Sequence, residues 1–140
     1  MTAPPAADPT EAELVALANE LVGRIWGHFT ARAAELNLSL AEAKALQNLE
    51  PGQAMPMRAL AARLHSNPSN VTVVVARLEA RNLLERQVSD DRRVKGVRLT
   101  STGQTLKQKL EARLVADHPA VRGLSEADQQ TLLAILRRLS

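Results

Sequence analysis

Apolar residues recur along most of the chain at intervals of three and four residues, which is the spacing of one face of an α-helix. The first stripe lies between Glu11 and about Leu36 and is continued over about five turns by Leu14, Leu17, Leu21, Ile25 and Phe29. A helix of this length exceeds what a small core requires. The pattern therefore predicts a mainly helical chain that begins with one long helix.

Short motifs predict the ends of the next three helices. Ser39 and Glu42 form a capping box for a second helix, and Pro51-Gly52 ends it. Pro56 is expected in the first turn of a third helix, because the first turn tolerates a residue without an N–H group. Asn67-Pro68 has the composition of an N-cap and first residue of a fourth helix.

The fourth helix is predicted against local preference. Val71–Val75 is a run of β-branched residues, and such a run favours a strand. The positions nevertheless give a helical face at i, i+3, i+4 and i+7, formed by Val71, Val74, Val75 and Leu78. Asn82 can adopt the left-handed conformation that ends a helix. We therefore expect a helix between Asn67 and Asn82.

Two short extended runs follow. Leu84 to Val88 and Lys95 to Leu99 flank the polar segment 89–93, which predicts a β-hairpin. Thr100 can cap a fifth helix, whose inward face holds Leu106, Leu110 and Leu114 and which His118-Pro119 is expected to end. Ser125 opens a second capping box for a last helix, with an inward face of Leu132, Leu136 and Leu139. The prediction is four helices, a hairpin and two helices.

Composition narrows the chemistry. The chain has no cysteine, and its three histidines, His28, His65 and His118, are not spaced as a metal site. No nucleophile motif or glycine-rich phosphate loop stands in a suitable context. We therefore predict no metal, no cofactor and no enzymatic activity.

The sequence also bears on location. No apolar run approaches the roughly 18 residues of a membrane span, and Met1 to Thr10 lacks the regions of a signal peptide. Three prolines in residues 1–10 predict a disordered tail. We expect a cytoplasmic protein without a membrane partner.

Charge is distributed unevenly. Residues 55–100 hold nine basic and four acidic side chains, whereas residues 1–54 hold three basic and seven acidic ones. The positive field of the middle third indicates a polyanion as its partner. A helix followed by a hairpin with a basic turn suits DNA, because the helix fits the major groove while arginines contact phosphates or the minor groove.

The segment 91–103 resembles the MarR family of bacterial transcriptional regulators. It fits the pattern Asp-x-Arg followed after five residues by Leu-Thr, with Asp91, Arg93 and Leu99-Thr100 at the matching positions and Gly103 beyond them. Leu60–Leu64 is similar to the support helix of that family. Val71-Thr72 with Arg77–Glu79 is similar to its recognition helix, and Leu83–Arg86 to its first wing strand. The resemblance implies a winged helix-turn-helix at 37–100, with a helical dimerisation region at 11–36 and 101–140.

The chain departs from the family pattern at three positions. Pro68 and Val73 stand where polar or basic residues are frequent, and Asn82 stands where glycine is usual. The recognition helix could therefore form fewer hydrogen bonds with bases. Val73 could instead contact a thymine methyl group.

Candidate DNA contacts follow from the two faces of the fourth helix. The arc opposite the valines, with the cap, holds Asn67, Ser69, Asn70, Thr72, Val73 and Arg77. Asn70 can pair with adenine, and Arg77 suits a phosphate. In the hairpin turn, Asp91 can orient one guanidinium, and either Arg92 or Arg93 can enter the minor groove. Arg86, Lys95 and Arg98 could contact phosphates.

The long first helix and the last two helices are apolar beyond what a winged helix needs, which predicts a homodimer. A two-fold dimer is expected to bind a pseudo-palindromic double-stranded operator. The resemblance implies a small-molecule effector. Trp26 and His28 could line an effector pocket, although a single Trp is more often in a core or a dimer interface. We predict a repressor that a ligand releases from DNA. The alternative is an architectural protein that coats DNA with little sequence preference.

Overall fold

The computed structural model describes residues 1–88 and 94–140 of the chain. Within them the fold is mainly α with one small β-hairpin, as the sequence predicts. The elements in chain order are α1 (Pro9–Glu35), α2 (Leu40–Asn48), α3 (Met57–Arg63), α4 (Pro68–Ala80), β1 (Leu84–Val88), β2 (Val94–Leu99), α5 (Ser101–Val115) and α6 (Glu126–Leu139). The predicted order of four helices, a hairpin and two helices is confirmed.

The chain forms two compact units. We call 29–115 the central unit and 1–28 together with 116–140 the terminal unit. The central unit holds α2 to α5, the hairpin and the end of α1, arranged as a winged helix. The terminal unit holds most of α1 and all of α6. Across the described residues, no helix combines the length and apolarity that crossing a bilayer requires.

The core of the central unit is aliphatic. Its largest completely buried side chains come from every helix from α2 to α5 and from β2, and they are Leu46, Leu49, Leu60, Leu78, Leu110, Val71, Val75 and Val97. The β-branched run of α4 is helical, as its spacing predicts. Burial of Val71, Val75 and Leu78 outweighs a propensity difference that amounts to a few tenths of a kcal/mol, or about 0.7 kcal/mol at most, per residue.

The predicted caps lie where the sequence places them. Both bonds of the Ser39 and Glu42 capping box are present. The side chain of Asn67 accepts a hydrogen bond from the Asn70 amide at 2.9 Å, and that of Ser125 accepts one from the Asp128 amide at 3.1 Å. These bonds satisfy amides that the first turn of a helix leaves unpaired.

Asn82 ends α4 as predicted. Its φ is 57°, in the left-handed region. The Asn82 amide donates to the Glu79 carbonyl at 2.9 Å, and the Leu83 amide donates to the Leu78 carbonyl at 3.0 Å. This pair of bonds is a Schellman motif, in which asparagine replaces the more frequent glycine.

Five predicted boundaries differ from the structure by a few residues. α1 begins at Pro9, inside the segment 1–10 predicted as a disordered tail, and α2 ends at Asn48, before Pro51-Gly52. Pro56 is the N-cap of α3 and not part of its first turn, because its ψ of 142° is extended. β2 begins at Val94 rather than Lys95. α5 ends at Val115, before His118-Pro119, because Asp117 adopts a left-handed φ of 53° and turns the chain there.

The hairpin is joined to the segment before α3. Its antiparallel register pairs Leu84 with Leu99, and it shifts between Gln87 and Val88. Met55 forms an isolated bridge to Val97, with backbone bonds of 2.8 and 2.9 Å in the two directions. Gly96 lies against the Met55 carbonyl so closely that a β-carbon would overlap it. The middle of β2 is therefore fixed by backbone contacts.

A compact junction connects α4, β2 and α5. The Thr100 hydroxyl donates to the Asn82 carbonyl at 2.6 Å and accepts from the Gly103 amide at 3.0 Å, so Thr100 caps α5 as predicted. The Thr100 amide donates to the Leu83 carbonyl at 3.1 Å. Gly103 is buried directly against the same carbonyl oxygen. The end of α4 and the end of β2 thus share one set of bonds.

Two cationic side chains bind the carboxyl ends of helices. The Lys107 ammonium, with the residue only 7% exposed, donates to the carbonyls of Leu49 at 2.6 Å and Gln47 at 3.1 Å. The Arg81 guanidinium donates to the carbonyls of Asn37 at 2.7 Å and Leu36 at 3.1 Å. A cation is favourable at the carboxyl end of a helix, where the carbonyls lack partners.

We predict that Gly103→Ala destabilises the protein by about 2–3 kcal/mol, because the new methyl group overlaps the Leu83 carbonyl. Urea unfolding monitored by circular dichroism measures the change. Gly23→Ala is the matched control, since Gly23 lies in α1 with nothing within 4 Å of the added carbon. It should stabilise the helix by about 0.5–1 kcal/mol. Equal stability of the two variants would contradict the close approach.

We also predict that Lys107→Met destabilises the protein by about 2–3 kcal/mol, because the end of α2 loses charged hydrogen bonds that are buried. Lys109→Met removes an exposed lysine of the same helix and should change stability by less than about 0.5 kcal/mol. Thermal unfolding of both variants tests the difference. A Lys107→Met protein as stable as Lys109→Met would show that the buried ammonium contributes nothing.

Candidate nucleic-acid interface

A short turn presents α4 to solvent. The last residues of α3 form a second Schellman motif, in which the Ser66 amide donates to the Ala61 carbonyl at 3.1 Å and the His65 amide to the Ala62 carbonyl at 3.2 Å. His65 takes a left-handed φ of 50°. Asn67 then caps α4. Local hydrogen bonds therefore determine the change of direction between the two helices of the helix-turn-helix.

The two faces of α4 separate as predicted. Val71, Val75 and Leu78 are buried in the core, while Val74 is half-buried. The residues of α4 and its cap predicted to contact DNA are all exposed, namely Asn67, Ser69, Asn70, Thr72, Val73 and Arg77. The structure thus brings these six residues together on one surface, which we call the reading face.

The polar side chains of the reading face differ in the hydrogen bonds that they can still make to a ligand. Asn67 uses its side-chain oxygen in the cap and retains its NH₂ group as a donor. The Thr72 hydroxyl donates to the Pro68 carbonyl at 2.9 Å, so its oxygen can only accept from a ligand. Within the described residues, the Asn70 side chain makes no hydrogen bond. Asn70 therefore retains both the donor and the acceptor that an adenine edge requires.

The electrostatics of the reading face suit a polyanion. Residues 68–78 contain no Asp or Glu. Arg77 is exposed and has no ion-pair partner among residues 1–88 and 94–140. The amino end of α4 adds the partial positive charge of the helix dipole. A phosphate backbone would meet no carboxylate along this part of the helix.

The predicted contacts of the hairpin are only partly described. Asp91, Arg92 and Arg93 lie outside the described residues. Lys95 lies on β2 in the hairpin, and only its backbone is described. The phosphate contacts expected from these residues stay predictions.

Arg86 and Arg98 were expected to contact phosphates, but both form ion pairs within the chain. The Arg86 guanidinium pairs with Glu79 at 2.7 Å, and that of Arg98 pairs with Glu85 across the hairpin. A carboxylate already neutralises part of each charge. These two arginines are therefore weaker candidates for phosphate contacts than Arg77.

Some residues that position the reading face were not predicted. Arg81 and Lys107 make bonds to residues more than 40 positions away, and Met55 pairs with Val97. Lys107 carried a detectable signal, because it stands at i, i+3 and i+7 with Leu110 and Leu114 on the inward face of α5. A charged residue at such a position indicates a buried partner.

The proposed effector residues belong to the terminal unit. The Trp26 side chain is exposed, at 44% of its maximum, whereas His28 is half-buried. The rings of His28 and His118 meet edge to face with 5.2 Å between centroids, and Nδ1 of His118 accepts from the Ala120 amide at 3.1 Å. His28 thus contacts another ring, while a ligand contact by either residue stays a prediction.

Comparison with known proteins gives a family match in the central unit. The model of the MarR family matches residues 38–95. This range includes α2, α3, α4, β1 and the start of β2, and thus the whole reading face. A search of curated protein sequences finds no match.

Solved structures extend the likeness to most of the chain. A MarR-family transcriptional regulator from Silicibacter pomeroyi is 27% identical, with a TM-score of 0.67, and the alignment covers 88% of this chain and 84% of that one. The YusO protein from Bacillus subtilis is 23% identical, with a TM-score of 0.76 and coverage of 96% and 97%. A MarR-family protein from Mycobacterium tuberculosis in complex with p-aminosalicylic acid is 24% identical, with a TM-score of 0.73 and coverage of 90% and 97%.

Proposed function

From the premise that residues 38–95 carry a MarR-family domain, we propose that this chain is a homodimeric, sequence-specific DNA-binding regulator of transcription. In this proposal α4 enters the major groove of a pseudo-palindromic operator, and the segment 89–93 contacts phosphates or the adjacent minor groove. The observation that carries the proposal is the reading face, which is exposed, free of carboxylates and polar except at Val73.

The charge of the surrounding segment supports the same partner. Residues 55–100 have five more basic than acidic side chains. Two of the four acids, Glu79 and Glu85, are paired with arginines. The field around the reading face is therefore positive, and binding should weaken as salt rises because counterions are released from the DNA.

The homodimer is proposed from the apolar surface of the terminal unit. No residue of α6 is buried, and large apolar side chains of α1 and α6 are exposed at Leu14, Leu17, Trp26, Ile135, Leu136 and Leu139. A monomer rarely exposes so many apolar residues together, and a second copy of the same surface would cover them symmetrically. Two-fold symmetry would place two copies of α4 about 34 Å apart, one turn of DNA.

Repression and release by a ligand complete the proposal. A regulator bound at an operator blocks transcription, and an effector that prefers a different spacing of the two α4 helices lowers operator affinity. The Mycobacterium tuberculosis protein of similar fold binds an aromatic acid. For this chain we propose a small aromatic anion as the effector, with Trp26 and His28 as its contacts.

The alternative function is an architectural protein that coats DNA. The positive charge of the central unit would suit it equally well. The two functions differ in sequence preference, because coating depends on phosphates that every sequence presents. The exposed Asn70 and Val73 favour the specific reading, since neither side chain is needed to bind a phosphate.

If the apolar face of α6 forms the dimer interface, a charged residue on that face should prevent dimerisation. Leu136→Asp should convert the dimer to a monomer, because the carboxylate would be buried in the apolar interface. Sedimentation equilibrium measures the mass directly. Val88→Asp is the control, because Val88 is 53% exposed, similar to Leu136 at 49%, but lies on β1. A wild-type monomer, or an unchanged Leu136→Asp dimer, would contradict this interface.

Sequence preference tests the function. Fragments bound by the protein are selected from a random library, and the best one and a scrambled copy are titrated at two salt concentrations. A specific regulator should select an inverted repeat and bind it at least about 1,000-fold more tightly than the scrambled copy. Equal, salt-sensitive affinities would favour the architectural alternative. Absence of binding would contradict both functions.

Two variants separate the roles of helix and hairpin in the same titration. Asn70→Ala should reduce the gap between the selected and scrambled DNA. Replacing Arg92 and Arg93 together by alanine should weaken binding to both DNAs and lower the slope of log affinity against log salt by about 2. An unchanged slope would remove these arginines from the interface.

A further inference from the structure

Val73 occupies the centre of the reading face. It lies four residues after Ser69 and four before Arg77, so the three share one line along α4. The residue is 51% exposed, while the neighbouring Val71 and Val75 are at 1% and 0%. One edge of Val73 borders a cleft of about 390 Å³ beside α2, which also includes Leu40 and Val74. The outer half of the side chain contacts nothing in the described part of the chain.

The chemistry of valine restricts what this position can recognise. Its side chain has no donor or acceptor, and in a helix it strongly prefers one rotamer, so the exposed methyl is held in place. Among the four base pairs, only those with thymine present a methyl group in the major groove. Valine can form neither a hydrogen bond nor an ion pair with a phosphate. An apolar side chain at the centre of a surface that faces DNA therefore contributes to sequence preference most directly through that methyl.

Resting on the proposed function, we propose that Val73 is a specificity-determining residue that packs against the 5-methyl group of one thymine in each operator half-site. Asn70 precedes Val73 by three residues, or about 4.5 Å along the helix axis. Successive base pairs are about 3.4 Å apart, so the two side chains reach neighbouring pairs. Asn70 suits an adenine. The centre of the half-site is then rich in A·T pairs.

Replacing thymine by deoxyuridine tests the contact, because it removes the methyl group and leaves the pairing edge unchanged. The DNA is the best fragment selected from the random library, and each thymine is replaced singly. Wild-type protein should lose about fourfold in affinity at one thymine per half-site. Replacement of both thymines should cost about 15-fold. Val73→Ala should bind the thymine and uracil fragments equally.

Val88→Ala is the matched control. Val88 has nearly the same exposure, 53% against 51%, but lies on β1. Its removal should leave the full preference for thymine over uracil. The Val73→Ala protein should fold normally, because alanine is the better helix former and the lost methyls are exposed.

The outcomes distinguish this inference from the proposed function. Specific binding that is indifferent to uracil at every position would overturn the methyl contact and leave the regulator intact. A uracil effect that persists in Val73→Ala would overturn it as well, since another residue would then hold the methyl. Equal affinity for all fragments would overturn the inference together with the proposed function.

Discussion

The Leu83 carbonyl is the point on which the arrangement of the elements proposed to bind DNA depends. It accepts the Thr100 amide, and Gly103 lies directly against it, while the Thr100 hydroxyl joins the end of α4 to the start of α5. Each of these contacts involves a backbone atom, and few other residues at positions 100 and 103 could form the same contacts. The orientation of α4 relative to the hairpin is consequently determined by hydrogen bonds whose length hardly varies. A reading helix and a wing can contact one DNA site together only if that orientation is constant.

The two cations that bind helix ends extend this rigidity. Arg81 connects the end of α1 to the last turn of α4, and Lys107 connects the end of α2 to α5. Each interaction satisfies carbonyls that a helix leaves unpaired, and each joins elements far apart in sequence. The central unit therefore combines an aliphatic core with charged hydrogen bonds at its edges. In a single chain the terminal unit lacks this support, because α6 buries none of its residues. The proposed second copy would supply it.

Much of the fold could be predicted because it depends on interactions between residues that are close in sequence. Ser39, Asn67, Thr100 and Asn82 each act on residues at most a few positions away, apart from the bond from Thr100 to Asn82. The reading face followed from helical spacing alone, once α4 was accepted as a helix despite its valines. What could not be predicted depends on residues distant in sequence. Met55 has no neighbouring strand residues to reveal its bridge to Val97, Gly96 is explained only by that bridge, and the partner of Lys107 lies 58 positions away. The start of α3 after Pro56 and the end of α5 before Asp117 depend on backbone angles that these residue types permit but do not require.

The central claim is that the exposed side of α4 meets the DNA. Its most direct test is the change in backbone amide chemical shifts of the full-length protein when the best selected fragment is added. The largest changes are expected at 67–77 and 89–95. The Ser69 amide should be prominent, because Pro68 has no N–H and the Asn70 amide already donates to the Asn67 side chain, so Ser69 is the first-turn donor left for a phosphate. Large changes confined to α6 or the first half of α1, with 67–77 unaffected, would contradict the account and place the DNA on another surface.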